Sequence, residues 1–298
     1  MTRSDGTLAG PTVWHALLGD YPVSRVLRQG HVASPLLRLD FADVAVPNKA
    51  FKRVVRDLEF DVAELALMTF LMARSRGVPL KLFPVVLFSR NPLRHLVCCV
   101  DRGLGPRDLT GRRVGVRAYT TTTAVWTRAL LADRFGVDAD QIRWVTYEEG
   151  HVAGVADPPN VSRDPAGVNL TAMLLNGAID AAIVDPIPAD PRIVPVVPDP
   201  EATHRAWEQD TGARTLNHIV VVRESLADDR ARMAELFRLF RESRAQAGAD
   251  VDPSCPPSGL DANCRSFEVA LAAAESQRLL ARPLAVEDLV TNVLASLA

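Results

Sequence analysis

The sequence predicts an α/β fold of two lobes, in which the middle of the chain forms a lobe inserted into the first. Short apolar runs typical of strands alternate with helical segments over most of the 298 residues. A first α/β unit is followed by a second one and then by a helical stretch, which favours a chain that crosses between the lobes twice. We expect the crossings near residues 89–94 and 216–218, so that lobe 1 comprises 1–90 and 219–298 and lobe 2 comprises 91–218.

The elements of the first unit are predicted from periodicity and from helix-stop residues. Residues 37–41 alternate apolar and polar side chains, as a half-buried strand does. The segment 64–76 is predicted as a helix because Gly77 and then Pro79 follow it, which is typical of a helix end. The predicted strands are 37–41, 60–62, 80–88 and 94–100, and the predicted helices are 49–57 and 64–76.

The later elements continue the alternation and then become helical. Gly177 separates a predicted helix from the short strand that follows it. The predicted strands are 113–117, 142–146, 179–184, 193–197 and 218–223, and the predicted helices between them are 121–135, 170–176 and 201–211. The helical return to the first lobe is predicted at 225–246, 263–280 and 285–297.

Composition excludes several classes of partner. The formal net charge of −2 offers no basic field for nucleic acid or an anionic membrane. No segment reaches the roughly 18 apolar residues of a membrane span, and the amino-terminal residues lack the apolar core of a secretory signal, so we expect a cytoplasmic protein. Neither a metal-ligand spacing nor a phosphate- or dinucleotide-binding motif is present, so we expect no metal and no cofactor.

A run of four threonines predicts an anion site. An apolar strand, Val114–Val116, leads into Thr120, Thr121, Thr122 and Thr123, which open a helix that carries Trp126. Hydroxyl groups beside the unpaired N–H groups of a helix start can cradle an anion. The alternative is that these threonines only cap the helix. The first interpretation predicts a small acidic ligand, bound between the lobes where strand ends and helix starts meet.

Two further segments are expected at the same cleft because they lie at the predicted crossings. The segment FSRNPLRH contains Ser89, Arg90, Arg94 and His95, and the second crossing contains Asn217 and His218. Arginine suits bidentate capture of a carboxylate, and histidine can donate a proton near neutral pH. The alternative for each is a structural role: surface arginines and ordinary strand histidines.

Acidic residues elsewhere in the chain have ordinary structural explanations. Asp20 and Tyr21 follow Gly19, and Glu64 falls at a predicted helix start, where a carboxylate is usually a cap. The segment 148–151, which contains Glu148, Glu149 and His151, could suggest a metal, but a solvated loop is the favoured interpretation.

Seven ordered segments between residues 15 and 225 resemble the 4,5-dihydroxyphthalate decarboxylases, whose fold is similar to that of type 2 periplasmic substrate-binding proteins. They are GDYPVSRVLRQGHV (19–32), LEFDVAELAL (58–67), FLMARSRG (70–77), FSRNPLRH (88–95), VGVRAYTTTTAVWTR (114–128), LLNGAIDAAI (174–183) and NHIVVVR (217–223). The resemblance implies a non-oxidative, cofactor-independent loss of CO2 from a hydroxylated aromatic acid. In 4,5-dihydroxyphthalate each carboxylate is para to a phenol oxygen, which can absorb charge when the ring carbon that bears the carboxylate is protonated.

The resemblance also implies roles for residues of this chain. His95 or His218 is expected to donate the proton, Arg90 and Arg94 to grip the carboxylates, and Glu64 or Asp20 to meet the phenol. The expected catalytic residues are His95, His218 and Glu64. The expected substrate-binding residues are Asp20, Tyr21, Ser89, Arg90, Arg94, Arg117, Thr121, Thr122, Thr123 and Trp126.

The chain departs from the family pattern in ways that bear on the substrate. Ala63, Ala66 and Met68 make the wall around Glu64 more apolar than the pattern leads us to expect, and Arg117 replaces a small or proline-like turn residue. A bulkier or less hydroxylated aromatic acid would suit such a wall. Two alternatives stay open at this point: a solute-binding protein for a small organic anion, and another biosynthetic enzyme on the same fold. The resemblance is compatible with a homodimer.

Overall fold

A computed structural model describes residues 10–164, 169–252 and 255–297. Residues 1–9, part of the segment on which the cytoplasmic expectation rests, lie outside the described residues. The strands are β1 (Thr12–Leu17), β2 (Leu37–Phe41), β3 (Val62–Ala66), β4 (Leu80–Ser89), β5 (Leu96–Cys99), β6 (Arg113–Val116), β7 (Arg143–Thr146), β8 (Val161–Arg163), β9 (Ala181–Ile183), β10 (Ile193–Pro195) and β11 (Leu216–Arg223). The α-helices are α1 (Pro22–Arg28), α2 (Leu67–Ser75), α3 (Thr122–Phe135), α4 (Leu170–Leu175), α5 (Pro200–Thr211), α6 (Arg230–Ala247), α7 (Cys264–Ser276) and α8 (Asn292–Ala295).

The strands form two sheets, one from the two ends of the chain and one from its middle. The first sheet has the order β2-β1-β3-β11-β4, and the second has the order β10-β5-β9-β6-β7-β8. In the first sheet β11 runs antiparallel between β3 and β4, whereas β1 is parallel to both of its neighbours. A strand from the far end of the sequence therefore closes the centre of the first sheet.

The chain passes between the sheets through two adjacent segments. The N–H of Arg90 donates to the carbonyl of Thr215 over 3.1 Å, and the Thr215 hydroxyl donates back to the carbonyl of Arg90 over 2.6 Å. The outgoing and returning segments are thus held side by side. The lobe boundaries at 90/91 and 218/219 stay a prediction.

Most predicted elements lie within a few residues of observed ones, including β2, β4 and α3. The helix predicted from residue 64 is wrong at its start, because Glu64 and Ala66 belong to β3 and the helix begins at Leu67. Pairing with β1 and β11 buries every residue of β3, and this tertiary pairing outweighs the local pattern. Thus Glu64 is a strand residue and does not cap a helix.

The carboxyl-terminal helix predicted over 285–297 is also wrong. Residues Val286–Leu289 form a single 3₁₀ turn, and Val290 and Thr291 are extended. The Thr291 hydroxyl accepts the N–H of Leu294 over 3.4 Å, so it caps a new short helix and separates it from the turn. Sequence analysis also made no prediction for β1 and α1, which precede the first predicted element.

The indole of Trp126 joins α3 to the returning strand β11. Its side chain is 1% exposed, and its N–H donates to the carbonyl of Leu216 over 2.8 Å. The ring packs edge-on against Trp207 of α5, with 5.9 Å between the centroids. This contact fixes the start of β11 against the helix that begins at the threonine run.

Replacing Trp126 with Phe should lower the free energy of unfolding by about 1–3 kcal/mol, because the carbonyl of Leu216 loses its indole donor in a buried setting. Urea denaturation followed by circular dichroism measures the change. Asp133→Ala, an exposed change on the same helix, is the matched control and should alter stability by no more than about 0.5 kcal/mol. Equal stability of the two variants would show that the indole contact contributes nothing.

Candidate active site

A cleft of about 840 Å³ opens between the two sheets, and residues of both sheets line it. Seven residues predicted to bind or transform a ligand are among those that line it: Tyr21, Arg90, Arg117, Thr121, Thr122, Thr123 and His218. The other predicted residues either lie directly behind this wall or face elsewhere. The side chains of one cleft wall are arranged around Glu64, which lies behind them.

The carboxylate of Glu64 is completely buried behind the cleft wall and is bonded by three residues from two segments of the chain. The N–H of Gly19 donates to Oε2 over 2.7 Å, and the hydroxyl of Tyr21 donates to Oε1 over 2.6 Å. Nδ1 of His218 makes a very short contact with the same Oε1. A Cβ at position 19 would lie 2.8 Å from Oε2, so only glycine lets the backbone approach the carboxylate this closely.

His218 stands between this carboxylate and the cleft. It lies on β11, opposite Ala66 of β3 and Phe88 of β4, so strand pairing sets its position. Its ring packs against Phe88 and Phe51, with centroid distances of 4.6 and 5.3 Å. Because Nδ1 is held by Glu64, Nε2 is the ring nitrogen that remains for a ligand. This arrangement orients an imidazole for proton transfer.

Tyr21 completes the group around Glu64. Burial, reinforced by the negative charge of Glu64, raises the pKa of the Tyr21 phenol far above its usual value. The phenol therefore stays protonated and serves as a hydrogen-bond donor to the carboxylate. Its ring also packs 5.2 Å from that of Phe88, which adds a third aromatic surface beside His218.

The threonine run lies at the start of α3, on the other side of the cleft. The helix begins at Thr122, one residue after the predicted start at 121, and Thr121 is the residue before its first turn. The Thr122 hydroxyl accepts the N–H of Met68 over 3.1 Å, and the Thr123 hydroxyl accepts from the Asn217 amide over 3.2 Å. Of the three threonines that line the cleft, Thr122 is therefore bonded to the start of α2 and Thr123 to β11 of the first sheet.

The two arginines that line the cleft are each paired with a carboxylate. Nη1 of Arg90 contacts Asp185 at 2.5 Å, and Nη1 of Arg117 contacts Glu148 at 2.7 Å. The pair of Arg90 and Asp185 spans the two lobes, since Arg90 follows β4 and Asp185 follows β9. Both guanidinium groups are thus partly neutralised within the protein.

His151 lines the cleft and was not selected from the sequence. Glu148 and Glu149 are exposed, as expected of a solvated loop, but His151 is turned inward. Its Nδ1 lies 3.1 Å from the Thr69 hydroxyl, and its ring packs edge-on against Phe51 at 5.4 Å. In the sequence, His151 is a histidine shortly after the strand β7. Its position in the sequence does not indicate that the loop after β7 turns the side chain into the cleft.

The loop that carries His151 is fastened to the opposite lobe by two cations. Nζ of Lys52 lies 2.7 Å from Glu149, and Arg56 donates to the same carboxylate over 3.1 Å. Arg56 also donates to the carbonyl of His151 over 2.8 Å. Burial, followed by the positive charges of Arg117 and Lys52, lowers the pKa of His151 to about 4, so its ring is neutral at pH 7.

Besides Glu64, which lies behind the cleft wall, five predicted site residues do not line the cleft, and four of them are described first. Asp20 forms an exposed ion pair with Arg25, and Arg94 lies 3.8 Å from Glu201 outside the cleft. Ser89 ends β4 beside Leu216. Trp126 is in the core, where its indole is bound by the main chain.

His95, the other predicted proton donor, is also outside the cleft lining. It lies in a 3₁₀ turn before β5, and its Nδ1–H donates to the carbonyl of Val184 over 2.9 Å. Burial lowers its pKa from the ordinary histidine value. The structure therefore brings His218, and not His95, to the cleft wall.

Comparisons with known proteins agree with the motifs in the sequence. No family model matches the chain. It is 28% identical over 256 residues to a 4,5-dihydroxyphthalate decarboxylase of Comamonas testosteroni, covering 77% of this chain and 74% of the relative. It is 29% identical over 176 residues to a 4,5-dihydroxyphthalate decarboxylase of Pseudomonas putida, covering 54% and 68%. The chain is similar to the 4,5-dihydroxyphthalate decarboxylases. The resemblance predicted from the motifs is confirmed.

Solved structures confirm the fold class. The periplasmic aliphatic sulphonate-binding protein of Escherichia coli superposes with a TM-score of 0.57 at 14% identity, covering 95% of this chain and 93% of that protein. The desulfurization enzyme DSZB superposes with a TM-score of 0.52 at 14% identity, covering 95% and 97%. The α/β fold is that of the type 2 periplasmic binding proteins.

Two further properties hold for the part of the chain that the structure describes. None of its helices is long and apolar enough to cross a membrane. Within residues 10–164, 169–252 and 255–297, no group of three or more histidine, cysteine or acidic side chains is placed to hold a metal ion.

The low pKa of His151 predicts a pH dependence of stability. Below pH 6.5 the unfolded chain protonates this ring while the folded protein does not, so the folded state loses stability as the pH falls toward 4. The loss attributable to His151 is up to roughly 3 kcal/mol. Urea denaturation at pH 7, 5.5 and 4 should give a shallower pH dependence for His151→Gln than for the unmodified protein. Parallel pH profiles would contradict a neutral, buried His151.

Proposed function

We propose that this protein is a cofactor-independent decarboxylase of a hydroxylated aromatic carboxylic acid, with its reaction in the cleft between the lobes. The similarity to two decarboxylases supports the reaction class. The observation that carries the proposal is the buried pair of Glu64 and His218 at the cleft wall. A fixed carboxylate behind an imidazole is an arrangement suited to a general acid.

The surroundings of His218 suit a planar ring. Phe51, Phe88 and Tyr21 present aromatic side chains around the imidazole. An aromatic acid can pack against such faces with offset or edge contacts, which are worth about 0.5–1.5 kcal/mol for a pair beyond the area buried. Its ring carbon would then lie near Nε2, the nitrogen that Glu64 leaves available.

The opposite wall suits the negative groups of such an acid. The start of α3 presents main-chain N–H groups and the Thr121 hydroxyl, and Arg117 lies nearby in the same lining. A helix amino terminus favours an anion through its dipole and its unpaired donors. The carboxylate, or the phenol oxygen that gains charge during the reaction, can be bound there.

The chemical step is a proton transfer followed by C–C cleavage. His218 in its protonated form donates the Nε2 proton to the ring carbon that bears the carboxylate, forming a C–H bond and a cyclohexadienone-like intermediate. The C–C bond to the carboxylate then breaks, its electron pair restores the aromatic ring, and CO2 leaves. His218 regains a proton from solvent. Glu64 acts as a positioning residue, because it orients the ring and stabilises its positive charge.

The main alternative is a solute-binding protein for a small organic anion. The fold is shared with the sulphonate-binding protein of Escherichia coli as well as with a desulfurization enzyme, so the fold alone does not choose between binding and catalysis. A solute-binding protein would bind the aromatic acid and release no CO2 from it. The cleft would then hold the aromatic acid unchanged.

We expect His218→Gln to lower kcat for CO2 release by about 10²–10⁴-fold, the usual contribution of a general acid. The measurement is CO2 release over a panel of hydroxylated benzoates and phthalates, with circular dichroism to verify folding. His95→Gln is the matched histidine control and should keep most of the activity, since His95 does not line the cleft. Full activity in His218→Gln, or no release from any acid by the unmodified protein, would sink the proposal.

The positioning role of Glu64 has its own signature. Glu64→Gln should lower kcat for CO2 release and leave KM nearly unchanged, because the His218 ring loses the carboxylate that holds its Nδ1. Steady-state kinetics on the folded variant measure both constants. A purely structural Glu64 would reduce the amount of folded protein and leave kcat per folded molecule where it was.

A further inference from the structure

We propose that His151 is a second catalytic residue of the cleft. Its neutral imidazole binds the phenol hydroxyl that is para to the reacting carboxylate, and it takes the proton of that hydroxyl when the ring is protonated. The reaction in which His151 acts rests on the proposed function, with His218 as the proton donor. The contact with the hydroxyl is a binding property and can be measured without turnover.

The proposed reaction needs a proton acceptor as well as a proton donor. When a proton is added to the ring carbon that bears the carboxylate, the para hydroxyl becomes strongly acidic, because its oxygen shares the positive charge of the ring. Loss of the hydroxyl proton gives the neutral dienone from which CO2 can leave. A general base within hydrogen-bond reach of the hydroxyl therefore assists the step.

The carboxylates near the cleft are already engaged. Glu64 is completely buried and is bonded to His218, so that it faces the imidazole and not the ligand. Asp20 belongs to an exposed ion pair and does not line the cleft. Asp185 lines the cleft, but its carboxylate is bonded to Arg90 at 2.5 Å. The phenol therefore calls for an acceptor of another kind.

His151 has the position that this acceptor needs. His151 and His218 are the two histidines among the described residues that line the cleft. Both imidazoles pack edge-on against the ring of Phe51, with centroid distances of 5.4 and 5.3 Å, so their separation is at most these two distances together. A benzene ring with a hydrogen-bonding contact at each end spans a comparable length. One ligand ring can thus reach both histidines.

The contacts of His151 leave one ring nitrogen for the ligand. Nδ1 lies 3.1 Å from the Thr69 hydroxyl, which can accept a proton from it in a hydrogen bond. Assigning the imidazole proton to Nδ1 leaves the lone pair on Nε2 for the phenol. Arg56 donates to the main-chain carbonyl of His151 over 2.8 Å and so fastens the backbone that carries the ring.

The surroundings of His151 keep it in the form that accepts a proton. Burial, followed by the positive charges of Arg117 and Lys52, lowers the pKa of His151 to about 4, so the ring is neutral at pH 7. A protonated imidazole would have no lone pair to offer. Such a weak base leaves an ordinary phenol protonated and takes the proton once the ring has gained one. The transfer to His151 is therefore coupled to the proton donation by His218.

The protons and electrons of the step balance. Nε2 of His218 gives its proton to the ring carbon and forms the C–H bond, while the phenol O–H bond breaks and its proton passes to Nε2 of His151. As CO2 leaves, the electron pair of the C–C bond restores the aromatic ring and turns the dienone oxygen into a phenolate. His151 then returns the proton to this oxygen and is neutral again.

Two ligands that differ by one hydroxyl test the contact. One is 4-hydroxyphthalate, whose hydroxyl is para to a carboxylate, and the other is phthalate, which has no hydroxyl. Isothermal titration calorimetry is done at pH 7 on protein that carries His218→Gln, so that neither ligand is consumed. The Kd for 4-hydroxyphthalate should be about tenfold lower, because one further hydrogen bond forms. Adding His151→Phe, which keeps an aromatic ring beside Phe51 and removes both nitrogens, should reduce the ratio to about twofold or less.

His151→Gln separates hydrogen bonding from proton transfer. A glutamine amide can accept the hydroxyl near the place of Nε2, so the ratio of the two Kd values should stay within about threefold of its value with His151. An amide cannot take the proton. With His218 present, kcat for CO2 release from the best acid of the panel should therefore fall by about 10²-fold or more in His151→Gln, with little change in KM. Circular dichroism verifies the folding of each variant.

His204→Phe is the matched control. His204 is also a buried histidine bonded to a threonine hydroxyl, with 2.8 Å between its Nε2 and Thr215, and burial lowers its pKa to about 4, but it does not line the cleft. This variant should leave the ratio of the two Kd values unchanged.

Four results would overturn the role of His151. They are an unchanged ratio in His151→Phe, equal binding of the two ligands by protein that keeps His151, binding of neither ligand at millimolar concentration, and full kcat in His151→Gln. A hydroxyl preference that is lost in His151→Phe, together with no CO2 release by the unmodified protein, would support the contact of His151 with the hydroxyl and would count against the decarboxylase alone.

Discussion

The buried carboxylate of Glu64 is the group on which the arrangement of the cleft depends. A carboxylate removed from water is tolerated only when hydrogen-bond donors or a positive charge compensate for the lost solvation. Here the partners are Gly19 and Tyr21 of the amino-terminal segment and His218 of β11, two parts of the sequence far from each other. One buried charge therefore ties the amino-terminal segment to β3 and β11, and it fixes the ring of His218 at the cleft wall.

A second constraint is the balance of charge across the cleft. Arg90 pairs with Asp185, and Lys52 with Glu149, so each of these ion pairs joins residues of one sheet's lobe to residues of the other. Exposed pairs of this kind contribute little to stability. Arg90 and Asp185 also line the cleft, so this pair places one positive and one negative group at its wall.

The three histidines His95, His151 and His218 show how much of the site the sequence could predict. The motif pieces indicated both His95 and His218, and the sequence offered no means to choose between them. Strand pairing decides: β11 places His218 against Glu64, whereas the turn before β5 directs His95 toward a main-chain carbonyl. His151 was missed because its loop has no periodicity, and its position depends on Lys52 and Arg56, nearly a hundred residues earlier.

The sequence by itself determined the α/β class, the order of most elements, the helix that begins at the threonine run, and the family resemblance. These follow from local periodicity, helix-stop residues and short motifs, all of which act over a few neighbouring residues. Only the tertiary structure decided that Glu64 lies on a strand, that Trp126 belongs to the core, and that Arg90 is held by Asp185. Each of these depends on contacts between residues about 45 or more positions apart, and no local pattern contains that information.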